Sequence, residues 1–177
     1  MNICVFCSSA SDLDPKYIEA AQQLGSTMAK QGHTLVFGGY DMGLMGAVAN
    51  AAVEAGGKVI GITTAGLTRK GRDVVKGIEV HEAEDLSARK QVMIDLADAF
   101  VTLPGGIGTF DEFFSVLSCV KVGEVTGKST LMDVDDFFAP LVLLLDESTK
   151  KGLNNMNWRT VGNSFTNAED LLNWLEE

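Results

Sequence analysis

Short apolar, β-branched runs alternate with helix-patterned stretches along nearly the whole chain, and this alternation constrains the fold more than any other feature. Strands are expected at residues 2–7, 34–37, 58–62, 78–81, 100–103 and 129–133. Helices are expected at 15–31, 44–55, 86–97, 109–120, 135–150 and 168–176. The first helix carries clear start signals, with Asp14 placed to cap it and Pro15 at its first position. Residues 63–76 read as irregular, with Arg69, Lys70 and Arg72 grouped there, either closing over a substrate or, as the favoured reading, forming a solvated loop. Strands that alternate with helices pair in parallel through right-handed crossovers, with helices on both faces. The run around Val101 is apolar on both sides, as a doubly covered sheet requires. The expected fold is therefore α/β, a doubly wound parallel sheet in a single domain over residues 1–177. Ligands in such sheets sit beyond the carboxyl ends of the strands, which directs attention to the loops after Cys7, Phe37 and Leu103.

Charge narrows the partners. A formal net charge of −10 argues against a broad nucleic-acid footprint. It leaves room for a small anion, because backbone N–H groups and one or two arginines bind a phosphate locally. No run of 18 apolar residues is present, so no membrane contact is expected. With no leader pattern at the first residues, a cytoplasmic protein is expected. Cys4 and Cys7 form a C-x-x-C inside a strand, where alternation sends the thiols to opposite faces, so a redox role is disfavoured. His33 and His81 lack ligand-type neighbours at useful spacing, and no metal site is expected.

The loop after Leu103 is the most informative segment. Gly105, Gly106 and Gly108 give three glycines in four positions, so the backbone can turn sharply and approach a ligand closely. A helix expected to start near Thr109 points its free N–H groups and positive dipole end at that loop, which makes an anion site, most naturally for phosphate. No Gly-Lys-Ser/Thr follows, so the loop is not a P-loop. Glu112 carries two readings. Thr109-x-x-Glu112 fits a capping box, with Thr109 as N-cap. The same carboxylate, one turn into the helix beside a bound phosphate, can also bind ribose hydroxyls, stabilise an oxocarbenium-like sugar or orient water.

A second glycine cluster follows Phe37, and its Gly39 either packs a helix against the sheet or meets a ligand. The G-x-G-x-x-G spacing of a nicotinamide dinucleotide site is absent. Ser8 and Ser9 stand in the first strand-to-helix turn with hydroxyls to offer. Arg89 and Lys90 are adjacent on the helix before the central strand, so about 100° separates them, and Arg89 is the candidate to face the cleft and orient Glu112. Lys90 and Met93 of the same helix are counted among the substrate-binding residues.

Together these segments resemble the Lonely Guy (LOG) family of cytokinin-activating phosphoribohydrolases, many of whose bacterial relatives carry an old label of possible lysine decarboxylase. The hallmark P-G-G-x-G-T-x-x-E is matched in full by residues 104–112, and G-G-x-x-x-G-L-M-G by residues 38–46. The R-K pair is matched by Arg89 and Lys90. The resemblance implies a Rossmann-like fold, usually as a homodimer, and release of a free base and ribose 5-phosphate from a purine or N6-substituted riboside 5′-monophosphate. It implies Glu112 and Arg89 as the catalytic pair, phosphate held by Gly105, Gly106, Gly108 and Thr109, and neither metal nor organic cofactor. Tyr40 stands where relatives usually have a third glycine, and Thr63-Thr64 follows Ile62 without the usual proline. These departures leave the phosphate and ribose positions intact and bear on the base.

Two other readings compete. One is a binding protein without catalysis, a nucleotide sensor or a carrier of a phosphorylated pterin cofactor. The other is a true lysine decarboxylase, which requires a Schiff-base lysine in a supporting pocket, and no lysine here has that context. A homodimer is further expected because Phe113, Phe114, Val116 and Leu117 leave one helix apolar around much of its circumference, although the C-terminal segment can supply the same cover.

Overall fold

The computed structural model describes residues 1–177. Strand β1 (Asn2–Phe6) is buried on both sides, with Ile3 and Val5 on one face and Cys4 and Phe6 on the other. Helix α1 (Pro15–Lys30) follows, and the Asp14 carboxylate accepts from the Lys16 N–H at 3.1 Å as the sequence predicts. Then come β2 (Thr34–Phe37), α2 (Gly43–Glu54), β3 (Val59–Thr64), the short α3 (Ala65–Thr68) and β4 (Glu79–Ala83). The second half runs through α4 (Leu86–Asp95), β5 (Ala99–Thr102), α5 (Ile107–Val122), β6 (Ser129–Met132), α6 (Ala139–Lys150), a single 3₁₀ turn at Trp158–Thr160, β7 (Gly162–Phe165) and α7 (Ala168–Glu176).

The seven strands form one sheet in the order β4-β3-β2-β1-β5-β6-β7, and every pairing is parallel. Helices α1, α2 and α7 cover one face, where Leu24, Met28, Val48 and Leu171 meet Ile3, Val5 and Val101. Helices α4, α5 and α6 cover the other, where Met93 and Val116 meet Phe6 and Phe100, and Phe113 and Leu117 meet Leu145 and Trp158. The fold is the Rossmann-like doubly wound sheet expected from the sequence. Its chain reverses direction across the sheet between β1 and β5, and there the two strand ends leave a crevice.

Four local expectations are corrected. Helix α5 starts at Ile107 rather than Thr109, because Gly106 takes the extended N-cap conformation and lets the helix begin earlier. Helix α6 starts at Ala139, since Asp135 and Asp136 adopt φ of 58° and 56°, outside any right-handed helix. The stretch 63–76 is not wholly irregular: β3 extends through Thr64, whose hydroxyl accepts from the Leu67 N–H and starts α3. Strand β7 has no apolar alternation to announce it, and pairing with β6 alone defines it.

Candidate active site

The crevice between β1 and β5 opens into a cavity of about 390 Å³. Its walls are the ends of β1, the turn of Ser8 and Ser9, Gly38, Arg89 and Met93, the start of α5, and Glu112. Backbone bonds fix this layout. The Ser8 N–H donates to the Pro104 carbonyl at 3.2 Å, and the Leu44 N–H donates to the Ser8 carbonyl at 3.0 Å, so the turn after β1 is clamped between the two glycine clusters.

The start of α5 presents free N–H donors to the cavity, the geometry of an anion site. Gly106 caps it with no side-chain hydrogen bond, and the first helix bond runs from the Phe110 N–H to the Gly106 carbonyl at 3.0 Å. The N–H groups of Ile107, Gly108 and Thr109 therefore have no partner in the fold, at the positive end of a 16-residue helix. Thr109 is the third helical residue and is buried, with Gly105 packed directly against its side chain. It is not an N-cap, so the capping-box reading of Thr109 and Glu112 does not hold. The early helix start moves both residues inward, and Glu112, one turn beyond Gly108 on the same face, points into the cavity.

Glu112 is largely buried, and its one cation within reach is Arg89, with Nη1 4.0 Å from Oε1. Burial raises the carboxyl more strongly than Arg89 lowers it, and its pKa is pushed up to about 7. Arg89 itself is fastened by its other nitrogens. Nε donates to the Ile62 carbonyl at 2.7 Å and Nη2 to the Gly38 carbonyl at 2.8 Å. Two neutral carbonyls at the ends of β2 and β3 thus hold the guanidinium in a buried position, leaving Nη1 aimed at Glu112. Lowering of the Arg89 pKa by burial is offset in part by the Glu112 charge.

Of the residues singled out from the sequence, Ser8, Ser9, Gly106, Gly108, Thr109, Glu112, Arg89 and Met93 line this one cavity. Three do not. Lys90 turns outward and binds the Asp111 carboxylate at 2.7 Å. Gly39, at φ 80°, packs on β3, and Gly105 supports Thr109 from behind. Met45 was missed, and for Arg72 the sequence favours a solvated loop over closure on a substrate: both line the cavity. No lysine lines the cavity, so a Schiff-base site has no candidate nucleophile there.

Residues 45–175 match the family model described as possible lysine decarboxylase. A cytokinin riboside 5′-monophosphate phosphoribohydrolase of Rhodococcoides fascians is 34% identical over 152 residues, covering 85% of this chain and 77% of that protein. One from Arabidopsis thaliana is 35% identical over 175 residues, covering 99% and 81%. The chain belongs to the Lonely Guy family. Among solved structures, a Moco carrier protein from Chlamydomonas reinhardtii superimposes with a TM-score of 0.74 at 19% identity, covering 99% of this chain and 94% of that one. The molybdenum cofactor binding protein of Rippkaea orientalis gives 0.71, also at 19% identity and with the same coverage. At that identity the likeness establishes a shared fold.

Proposed function

We propose that this protein hydrolyses the N-glycosidic bond of a purine or N6-substituted (cytokinin) riboside 5′-monophosphate, giving the free base and ribose 5-phosphate. The observation that carries the reading is Glu112: a buried carboxyl with a pKa of about 7, faced by Arg89 and placed one helical turn from three unpartnered N–H groups. The relatives at about 34–35% identity that bear the corresponding name support it.

The phosphate is held at the N–H groups of Ile107, Gly108 and Thr109, which set the distance from the anion to the sugar. Ser8 and Ser9 offer hydroxyls at the same end. As the C1′–N bond breaks, its electron pair leaves with the base, and the sugar takes on positive charge that the ionised Glu112 stabilises. Water adds its oxygen to C1′. The proton that water loses passes to Glu112, and the departing base nitrogen takes a proton from solvent. Arg89 keeps the carboxylate oriented and sustains its ionised fraction near neutrality. Glu112 then returns its proton to solvent, so atoms and charge balance with water as the only co-reactant.

A second copy of the chain is proposed to cover apolar side chains that the fold leaves exposed on α5 and α6, namely Phe114, Leu143 and Leu144. Light scattering at defined concentration tests that homodimer. A cytoplasmic setting fits the three free cysteines, Cys4, Cys7 and Cys119.

The direct test is incubation of the purified protein with AMP and with isopentenyl-AMP, reading released base by chromatography. Base release by wild type and its loss in Glu112→Gln are the expected results. A nucleotide that is bound and returned intact by wild type would overturn the hydrolase and leave a carrier.

A further inference from the structure

Arg72 is the one cation of the cavity wall with neither a carboxylate nor a hydrogen-bond partner in the protein. Its guanidinium forms no hydrogen bond and no ion pair with any side chain, whereas Arg89 faces Glu112 and Lys90, just outside, is spent on Asp111. In a chain with 24 acidic and 14 basic residues, an unpaired arginine on a cavity wall has many carboxylates it could have met and meets none.

Its place is nevertheless fixed. Tyr40, wholly buried, lies beneath it, and the Arg72 Cζ stands 5.8 Å from the ring centroid. The Arg89 Cζ stands 5.9 Å from the same centroid. One electron-rich ring thus serves two guanidiniums that repel each other, as the lowering of the Arg89 pKa by Arg72 also indicates. Tyr40 is itself immobilised: its hydroxyl accepts from the Thr64 N–H at 2.9 Å and lies 3.0 Å from the Thr64 carbonyl. The segment carrying Arg72 is tied to the same place by an antiparallel bridge between Tyr40 and Val74, with the Asp41 N–H on the Asp73 carbonyl at 2.8 Å and the Val75 N–H on the Gly39 carbonyl at 3.1 Å.

Sheet order then says which end of a ligand Arg72 meets. The start of α5 follows β5, whereas Tyr40 and its bridge follow β2, and β1 lies between those strands. Two strand spacings separate the ends, roughly 10 Å. Arg89 and Glu112 project into the space between them. With the phosphate at α5 and the sugar at Glu112, the far end is the base.

We propose that Arg72, set by Tyr40, is the residue that grips the base of the nucleotide and donates to its ring nitrogens as negative charge develops there on bond breaking. This inference rests on the hydrolase reading for its chemistry, but its geometry stands on binding alone. A guanidinium is suited to it, since it both donates in the plane of a purine edge and stays charged at every working pH. Tyr40 is a positioning residue: it acts through Arg72.

The experiment compares two ligands that differ only in the base. Affinity for AMP, measured by calorimetry in a Glu112→Gln background to prevent turnover, and affinity for ribose 5-phosphate are determined with and without Arg72→Ala. The expected result is a loss of about tenfold for AMP, with ribose 5-phosphate changed by less than about twofold. Tyr40→Phe, which keeps the ring and drops the hydroxyl tie, is expected to lower AMP affinity in the same selective way by a smaller factor. In an otherwise wild-type chain, Arg72→Ala is expected to lower kcat for AMP as well as its affinity. Equal losses on both ligands would move Arg72 to the phosphate end and overturn the proposal, and no loss on either would return it to the solvated surface. Failure of wild type to release base strikes the hydrolase reading, whereas the two-ligand comparison decides Arg72 in either case.

Discussion

Two glycine clusters flank the cavity, and they use the same residue for opposite ends. In the cluster after β2, glycine makes room for the protein. A Cβ at Gly38 would lie 1.9 Å from Nη2 of Arg89, and one at Gly43 would lie 2.3 Å from the Ala10 carbonyl oxygen. In the cluster after β5, Gly106 and Gly108 would meet nothing within 4 Å. The space beside them is open and belongs to the cavity wall. A glycine-rich loop therefore says nothing about binding until its neighbours are known, and here one loop makes room for the Arg89 side chain while the other leaves the start of α5 open. The sharpest way to break this comparison is to remove what each loop serves and then what each loop is.

The largest effect is expected at Glu112, which stands between the two. Glu112→Gln is predicted to lower kcat for base release by about 10²–10⁴-fold. In wild type, the rate is predicted to rise with pH through about 7, because the carboxylate is the form that accepts the proton from water. A rate independent of pH between 5.5 and 8.5, at saturating substrate, would remove Glu112 from that role.

Next is Gly38→Ala. The new methyl group takes the position of the Arg89 guanidinium, which must abandon its bonds to Gly38 and Ile62. Stability is predicted to fall by about 1–3 kcal/mol, as for other overpacked cores, and base release to fall with it. Thermal unfolding and steady-state rates check both. A variant as stable and active as wild type would show that the berth is looser than its distances imply.

Glu112→Gln also has a stability signature that separates charge from shape. The folded-state pKa of about 7 lies above the ordinary value of 4.5, so folding binds a proton between those limits and the buried charge is a penalty above them. Below pH 4.5 the penalty is absent; it grows from 4.5 to 7 and is complete above 7. The neutral glutamine escapes it. Glu112→Gln is therefore predicted to be more stable than wild type by about 3 kcal/mol at pH 8 and nearly equal to it at pH 4. Chemical denaturation at the two values measures the difference, and a stabilisation that does not change with pH would point to packing.

Much of this was legible beforehand, for identifiable reasons. Strands β1 and β5 are short, apolar and doubly buried, so their pattern survives without tertiary context, and the loop after Leu103 carries its glycines in plain view. The helical angle separated Arg89 from Lys90 without saying which faces the cleft; the structure buries Arg89, the candidate, and the substrate-binding role assigned to Lys90 is not matched by its place on Asp111. What could not be read depends on distant partners. Strand β7 exists through β6, the start of α6 waits on two left-handed aspartates, and Arg72 reaches the cavity by a bridge between Tyr40 and Val74. The start of α5 was misjudged for a subtler reason: Thr109 is a good cap by type, but three glycines allowed the chain to enter the helix before it.

The smallest predicted effect is the one that tests the anion seat most directly. Gly108 sits in the first turn of α5 with ordinary helical backbone and open space around it, so alanine there introduces no clash. Glycine costs conformational entropy that alanine does not, and Gly108→Ala is predicted to stabilise the fold by about 0.5 kcal/mol. The same methyl group intrudes where the phosphate must approach the N–H groups, so affinity for AMP and for ribose 5-phosphate is predicted to fall together. That pattern, more stable and less able to bind, is the opposite of what Gly38→Ala does to the fold. It follows if the open side of Gly108 is kept clear for an anion. Should Gly108→Ala bind both ligands as wild type does, the phosphate does not approach this turn of the helix, and the seat would have to be sought at Ser8 and Ser9 instead.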